Sequence, residues 1–65
     1  LNTDKYIHEI GSLWVDGLDR YYLIVDVVDY KYISGRVEFI IQLIDTGDKY
    51  ENEVKDFYQY HTRVS

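Results

Sequence analysis

The chain contains no cysteine, no proline and no methionine. Without cysteine there is no disulfide framework, no thiolate zinc site and no cysteine nucleophile, and the composition is expected of a reducing, cytoplasmic setting. With no proline and only four glycines, Gly11, Gly17, Gly35 and Gly47, no tract reads as a linker or an internal domain boundary. Long apolar runs are missing as well. With tyrosine set aside the longest, Leu23–Val25 and Phe39–Ile41 among them, are three residues each, so neither a membrane span nor a signal-peptide core is visible. Because the sequence opens at Leu1 and holds no methionine, it is expected to start inside a longer translated product.

Positive charge is also scarce. Seven Lys and Arg stand against twelve Asp and Glu, a net charge of −5, which is the wrong sign for holding a phosphate backbone by counterion release. Nucleic acid is therefore a disfavoured partner. The same acidity steers association toward basic protein surfaces, and Asp16, Asp19, Asp26, Asp29, Asp45, Asp48, Glu51 and Glu53 are placed to do so.

The chain is rich in apolar and aromatic side chains. At 65 residues it is one domain at most, and 46% hydrophobic residues with 17% aromatic are enough for a packed core. From Tyr21 to Ile33 and from Val37 to Ile44 the chain is crowded with Val, Ile, Leu, Tyr and Phe, which predicts two strands. Alternation places Leu23, Val25, Val27 and Ile33 inward, together with Val37, Phe39, Ile41 and Leu43. A three-residue loop, Ile33-Ser34-Gly35, with Gly35 left-handed, would then set Val27 opposite Ile41 and Val25 opposite Leu43. Trp14, Phe39 and Phe57 are expected to fill the core.

Shorter elements flank this pair. Residues 1–10 are expected to form a short helix or arm that packs on the rest. Thr3 or Asn2 would cap it, Gly11 would end it, and Tyr6, Ile7 and Ile10 would share one face. Gly11 to Asp16 reads as a strand and Lys49 to Val54 as another. Val54, Phe57, Tyr58 and His61 fall at helical spacing, so a helical turn precedes a last short strand, Thr62-Arg63-Val64. The expectation is a mainly β domain over residues 11–65: a small, SH3-like, five-stranded barrel with a helical turn before the last strand.

The strings Gly11-Ser12-Leu13-Trp14, Tyr21-Tyr22-Leu23-Ile24-Val25, Val37-Glu38-Phe39, Gly47-Asp48-Lys49-Tyr50 and Val54-Lys55-Asp56-Phe57 together resemble small SH3-like proteins of bacteriophages and prophages. The resemblance runs from about Gly11 to Val64. It implies a barrel fold and an accessory protein that binds, and inhibits or redirects, a host protein or complex. It carries no catalytic residue with it.

The chemistry of an enzyme is not apparent. Ser12, Ser34, Ser65, Thr3, Thr46 and Thr62 are the hydroxyl nucleophiles and His8 and His61 the only histidines, with no strand-to-helix elbow to activate any of them. Asp45-Thr46-Gly47-Asp48 with Glu51 and Glu53 lacks calcium-loop spacing and reads as a turn. The glycines form no phosphate loop. No catalytic residue, metal or other cofactor is expected.

Eight tyrosines are the unusual feature. The alternation that buries the odd positions leaves Tyr22, Ile24, Val28, Tyr30, Tyr32, Ile40 and Ile44 on an outer face too apolar for free solvent. The candidate partner-binding surface is thus Tyr21, Tyr22, Ile24, Asp26, Asp29, Tyr30, Tyr32 and Ile40, joined by Tyr58 and Tyr60 from the tail. Its occupant is expected to be a host protein or a second copy of the chain in a homo-oligomer, unless the N-terminal segment covers it. The alternative is a small nucleic-acid or modified-peptide reader, for which Arg20, Lys31, Arg36 and Lys55 would have to gather around exposed rings.

Overall fold

A computed structural model describes residues 2–30 and 35–65. Two single 3-10 turns, Asn2–Lys5 and Ile7–Glu9, lead into β1 (Leu13–Asp16), β2 (Tyr21–Asp29), β3 (Val37–Leu43), β4 (Lys49–Glu53), helix α1 (Val54–Tyr60) and β5 (His61–Arg63). The strands make one antiparallel five-stranded sheet in the order β4-β3-β2-β1-β5. The protein is mainly β, with a helical turn ahead of its last strand, as the sequence predicts. No helix among the described residues is long and apolar enough to cross a membrane.

The expected barrel does not close. β4 and β5 remain the two edges of the sheet, and among the described residues no backbone pairing joins them. The reason lies in the connection. β5 has only three residues, and α1 carries the chain from one edge to the other instead of letting the edges meet. Seven residues make an unstable helix in water, and α1 has no side-chain cap at its start. It is held because Val54 and Phe57, three positions apart, sink together into the core.

That core comprises Trp14, Tyr22, Ile24, Val37, Phe39, Ile41, Val54 and Phe57. Phe57 is its hub: its ring meets Trp14 edge-on at 5.1 Å and Phe39 at 5.4 Å, and stacks on His61 at 4.1 Å. Trp14, Phe39 and Phe57 are therefore interior, as expected, and Val37, Phe39 and Ile41 follow the predicted alternation.

In β2 the expected alternation holds at Val27, which packs against the core, and fails before it. Tyr22 and Ile24 are buried, while Leu23 and Val25 are only half-buried. The pairing runs Tyr22 with Leu43 and Ile24 with Ile41, then shifts, so that Asp26 faces Ile40 and Val27 faces Phe39. Val25 is the extra residue of a β-bulge, and one extra residue turns every later side chain to the opposite face. The expected pairs Val27–Ile41 and Val25–Leu43 assumed an unbroken pleat. Asp26, whose Oδ1 accepts the Val27 N–H at 2.8 Å, sits at the irregularity.

The register at the end of the pair also differs from expectation, with Asp29 opposite Val37. Tyr30 N–H donates to the Arg36 carbonyl at 3.0 Å, and Gly35 is left-handed with φ 74°, as the loop chemistry predicted. Lys31, Tyr32, Ile33 and Ser34 lie outside the described residues, and with them the inward Ile33, the candidate Tyr32 and the Ile33-Ser34-Gly35 loop.

The N-terminal segment is not an α-helix. Its hydrogen bonds link each donor to the carbonyl three residues back, from Tyr6 to Thr3, Glu9 to Tyr6 and Ile10 to Ile7. With three residues per turn, positions three apart eclipse, so Tyr6 and Glu9 face the sheet, not Tyr6, Ile7 and Ile10 together. Ile7 and Ile10 are exposed. Tyr6 meets the edge of Phe39 at 6.0 Å. The Glu9 carboxylate, buried, accepts the Tyr58 hydroxyl at 2.8 Å and the Arg63 guanidinium, tying this segment to α1 and β5.

Candidate functional site

The core fills only one end of the curved sheet. At the other end the same inner face continues through Tyr22, Ile41, Leu43 and Tyr50 and opens into a concavity of about 810 Å³. Its walls come from three places. The β1–β2 turn supplies Asp16, Leu18 and Arg20, β4 supplies Tyr50, Glu51 and Asn52, and the end of α1 with the start of β5 supplies Gln59, Tyr60 and His61. The groove thus lies along the seam that a closed barrel would seal.

The β1–β2 turn is fixed by one carboxylate. Asp16 Oδ1 accepts the backbone N–H groups of Leu18 at 2.8 Å and Arg20 at 3.1 Å, and Oδ2 accepts Arg20 Nε at 2.8 Å and the Tyr22 hydroxyl at 3.0 Å. Asp19 takes the left-handed conformation, φ 60°, that the three-residue turn requires and that aspartate tolerates. The turn lifts Leu18 into solvent, 72% exposed, at the rim of the groove. Partial burial works against the Asp16 charge, but the four donated hydrogen bonds outweigh it and hold the carboxyl well below the usual carboxylate range. Burial, and then the bond to Asp16, push the Tyr22 phenol up.

These bonds make the turn sensitive to acid. The folded Asp16 carboxyl is lower than in the unfolded chain, so its stabilisation is complete above about pH 4 and is lost as pH falls toward the folded value. Urea midpoints measured from pH 7 down to pH 2 are expected to fall on the acid side. Asp16→Asn should lower the midpoint at pH 7 and flatten that acid limb. An unchanged acid slope in the variant would contradict this account of the turn.

His61 closes the floor. Its Nδ1 lies 2.9 Å from the Phe57 carbonyl oxygen, which can only accept, so Nδ1 carries a proton and the ring is locked in orientation. Tyr22 meets this ring edge-on at 5.2 Å. Tyr50 and Tyr60, on the walls, stand 48% and 66% exposed. Among the described residues no three His, Asp or Glu side chains gather in a way that could hold a metal ion.

The groove brings together only part of the surface that the sequence singled out. Tyr60 stands on its rim and buried Tyr22 on its floor, and Tyr22 and Ile24 both belong to the core, a correction that follows from the bulge at Val25. Tyr21 is exposed on the opposite face of the sheet, paired with Val15. Asp26 and half-buried Ile40 oppose each other on that outer face, and Asp29 is half-buried opposite Val37. Tyr30 donates its hydroxyl to Glu51, which holds the phenol above its ordinary value. Tyr58 is bound to Glu9; burial first, and then that bond, push its phenol up. The supposed single stripe is therefore divided among core, outer face and groove.

Sequence reasoning did not assign Leu18, Tyr50 or His61 to a site. One signal was available: Leu18 is an apolar side chain at the tip of a polar three-residue turn, where nothing of its own chain can bury it. No protein-family model, curated protein or solved structure matches the chain, and the functional reading rests on its own geometry.

Proposed function

We propose that this chain is a non-enzymatic protein-binding module whose docking site is the seam groove. The observation that carries the reading is that Leu18 and Tyr60, the two most exposed large apolar side chains among the described residues, stand with half-exposed Tyr50 around one concavity floored by the core face itself. Exposed apolar groups collected about a concave surface with a few polar anchors mark binding sites, and tyrosine supplies contact area at low entropic cost. The acid excess of the chain steers a basic partner toward it.

The resemblance to phage SH3-like proteins adds a setting to the proposal: a cytoplasmic accessory protein that occupies a surface of a host protein or complex and so inhibits or redirects it. The alternative as a nucleic-acid or modified-peptide reader draws less support. Arg20 and Arg36 sit at opposite ends of the β2–β3 pair, and each already binds a carboxylate, Asp16 at 2.8 Å and Glu38 at 2.6 Å.

Affinity capture from bacterial lysate tests the reading when wild type is compared with Tyr60→Ala, Leu18→Ser and, as a control on the outer face, Tyr21→Ala. Tyr60 and Leu18 are exposed, so each change should leave stability within about 0.5 kcal/mol. The expected result is a partner held by wild type and Tyr21→Ala and weakened about 10-fold or more by either groove change. A partner captured equally by all four proteins would overturn the assignment of the groove. Light scattering of the same samples shows whether that partner is a second copy of the chain.

A further inference from the structure

The wall of the groove formed by β4 is also an unpaired sheet edge, and its backbone pattern is specific. Leu43 N–H donates to the Asp48 carbonyl at 2.9 Å, and the register continues Ile41 opposite Tyr50 and Phe39 opposite Asn52. In an antiparallel pair, bonded and non-bonded positions alternate. Tyr50 and Asn52 therefore direct their N–H and C=O groups to β3, and Lys49 and Glu51 direct theirs away from the sheet. Side chains alternate on the same rule. Tyr50 shares the groove face with Ile41, while Lys49, Glu51 and Glu53 share the outer face with Gln42, Ile40 and Glu38.

Such an edge is blunted by charged side chains, as Lys49, Glu51 and Glu53 do here against a strand of like charge, or by proline, a bulge or a covering segment. β4 has no proline, its register with β3 is unbroken, and Lys49, Tyr50 and Glu51 are exposed. Its charge is one-sided. From Asp48 to Glu53 three carboxylates flank one ammonium, and the whole chain carries −5. A second copy brings the same excess of negative charge to the contact, whereas a basic strand brings its complement.

We infer that the free edge of β4 is a strand-addition site for an extended segment of a protein partner in which apolar and Lys or Arg residues alternate. Backbone groups of the added strand pair with those of Lys49 and Glu51. Its apolar side chains drop into the groove beside Tyr50, and its basic ones lie next to Glu51 and Glu53 on the outer face. This rests on the groove being a docking site and adds the occupant's conformation, spacing and charge.

The probe is a terminally blocked nonapeptide of alternating valine and lysine, added to the ¹⁵N-labelled protein. Two comparison peptides accompany it: one with glutamate in place of lysine, and one with the lysine form N-methylated at the backbone nitrogens that would face β4. The lysine peptide is expected to slow hydrogen exchange of the Glu51 amide, while the glutamate and N-methylated peptides bind about tenfold more weakly or less. Shifts at Leu18 and Tyr60 without protection of the Glu51 amide, or equal binding of the N-methylated form, would overturn strand addition and leave the docking groove standing. Silence from all three peptides would overturn strand addition as well, and the capture experiment then decides the groove separately. Glu51 protection that appears on raising protein concentration alone assigns the edge to a second copy and overturns the basic partner.

Discussion

Replacing Phe57 by alanine is expected to lower the melting temperature by about 15–30 °C and abolish the near-ultraviolet signal of Trp14. Phe57 is fully buried and in contact with Trp14, Phe39 and His61. Truncating such a ring costs about 3–5 kcal/mol from lost burial and the cavity left behind. A chain of 65 residues has a total stability of only about 3–10 kcal/mol. Because α1 has no side-chain cap and is anchored by Val54 and Phe57, the helix should melt with the core, and the β4–β5 connection that shapes the groove with it. Phe57→Leu keeps most of the volume and should cost under about 1.5 kcal/mol. A shift below about 5 °C for Phe57→Ala would show that the hub lies elsewhere.

The second large effect is expected at Glu9. Its buried carboxylate joins Tyr58 of α1 and Arg63 of β5, and its carbonyl accepts the Ser12 hydroxyl at 2.5 Å, which in turn accepts Trp14 Nε1 at 2.7 Å. Glu9→Ala leaves the Tyr58 hydroxyl and the Arg63 guanidinium without this acceptor. Charge-assisted bonds of this kind are worth about 1.5–3 kcal/mol, so the melting temperature should drop by about 8–15 °C. Glu9→Gln retains one acceptor oxygen and should lose roughly half as much. In a double-mutant cycle with Arg63→Ala the two changes should be clearly less than additive. Additive losses would mean that Glu9 and Arg63 do not interact in the folded protein.

The sequence made different parts of this structure legible for different reasons. In β3 Val37, Phe39 and Ile41 go in where alternation places them, although Glu38 on the other face is buried as well, held by Arg36. Trp14 and Phe57 were readable as core because each is a large apolar ring in a segment with strand or helical patterning. The first half of β2 was misread because apolar residues of both parities, Tyr22 and Ile24 against Leu23 and Val25, satisfy either phase, whereas Val27, beyond the bulge, packs on the core as expected. A single bulge decides between them and has no composition signal beyond Asp26 interrupting the run. Glu9 was invisible for another reason. Its partner Arg63 is 54 positions away, and a buried carboxylate looks like any surface glutamate until the fold brings that cation to it. The groove suffered from both causes. Tyr50 read as one strand residue among many and His61 as a helical one, and only the open seam between β4 and β5 sets them on facing walls.

Amide hydrogen exchange along β4 tests the open seam most directly. The account predicts protection at Tyr50 and Asn52, whose N–H groups bond β3, and rapid exchange at Lys49 and Glu51, whose N–H groups face outward. Protection of Glu51 as strong as that of Tyr50 in the free, monomeric protein would mean that the edge is already paired, and would contradict it.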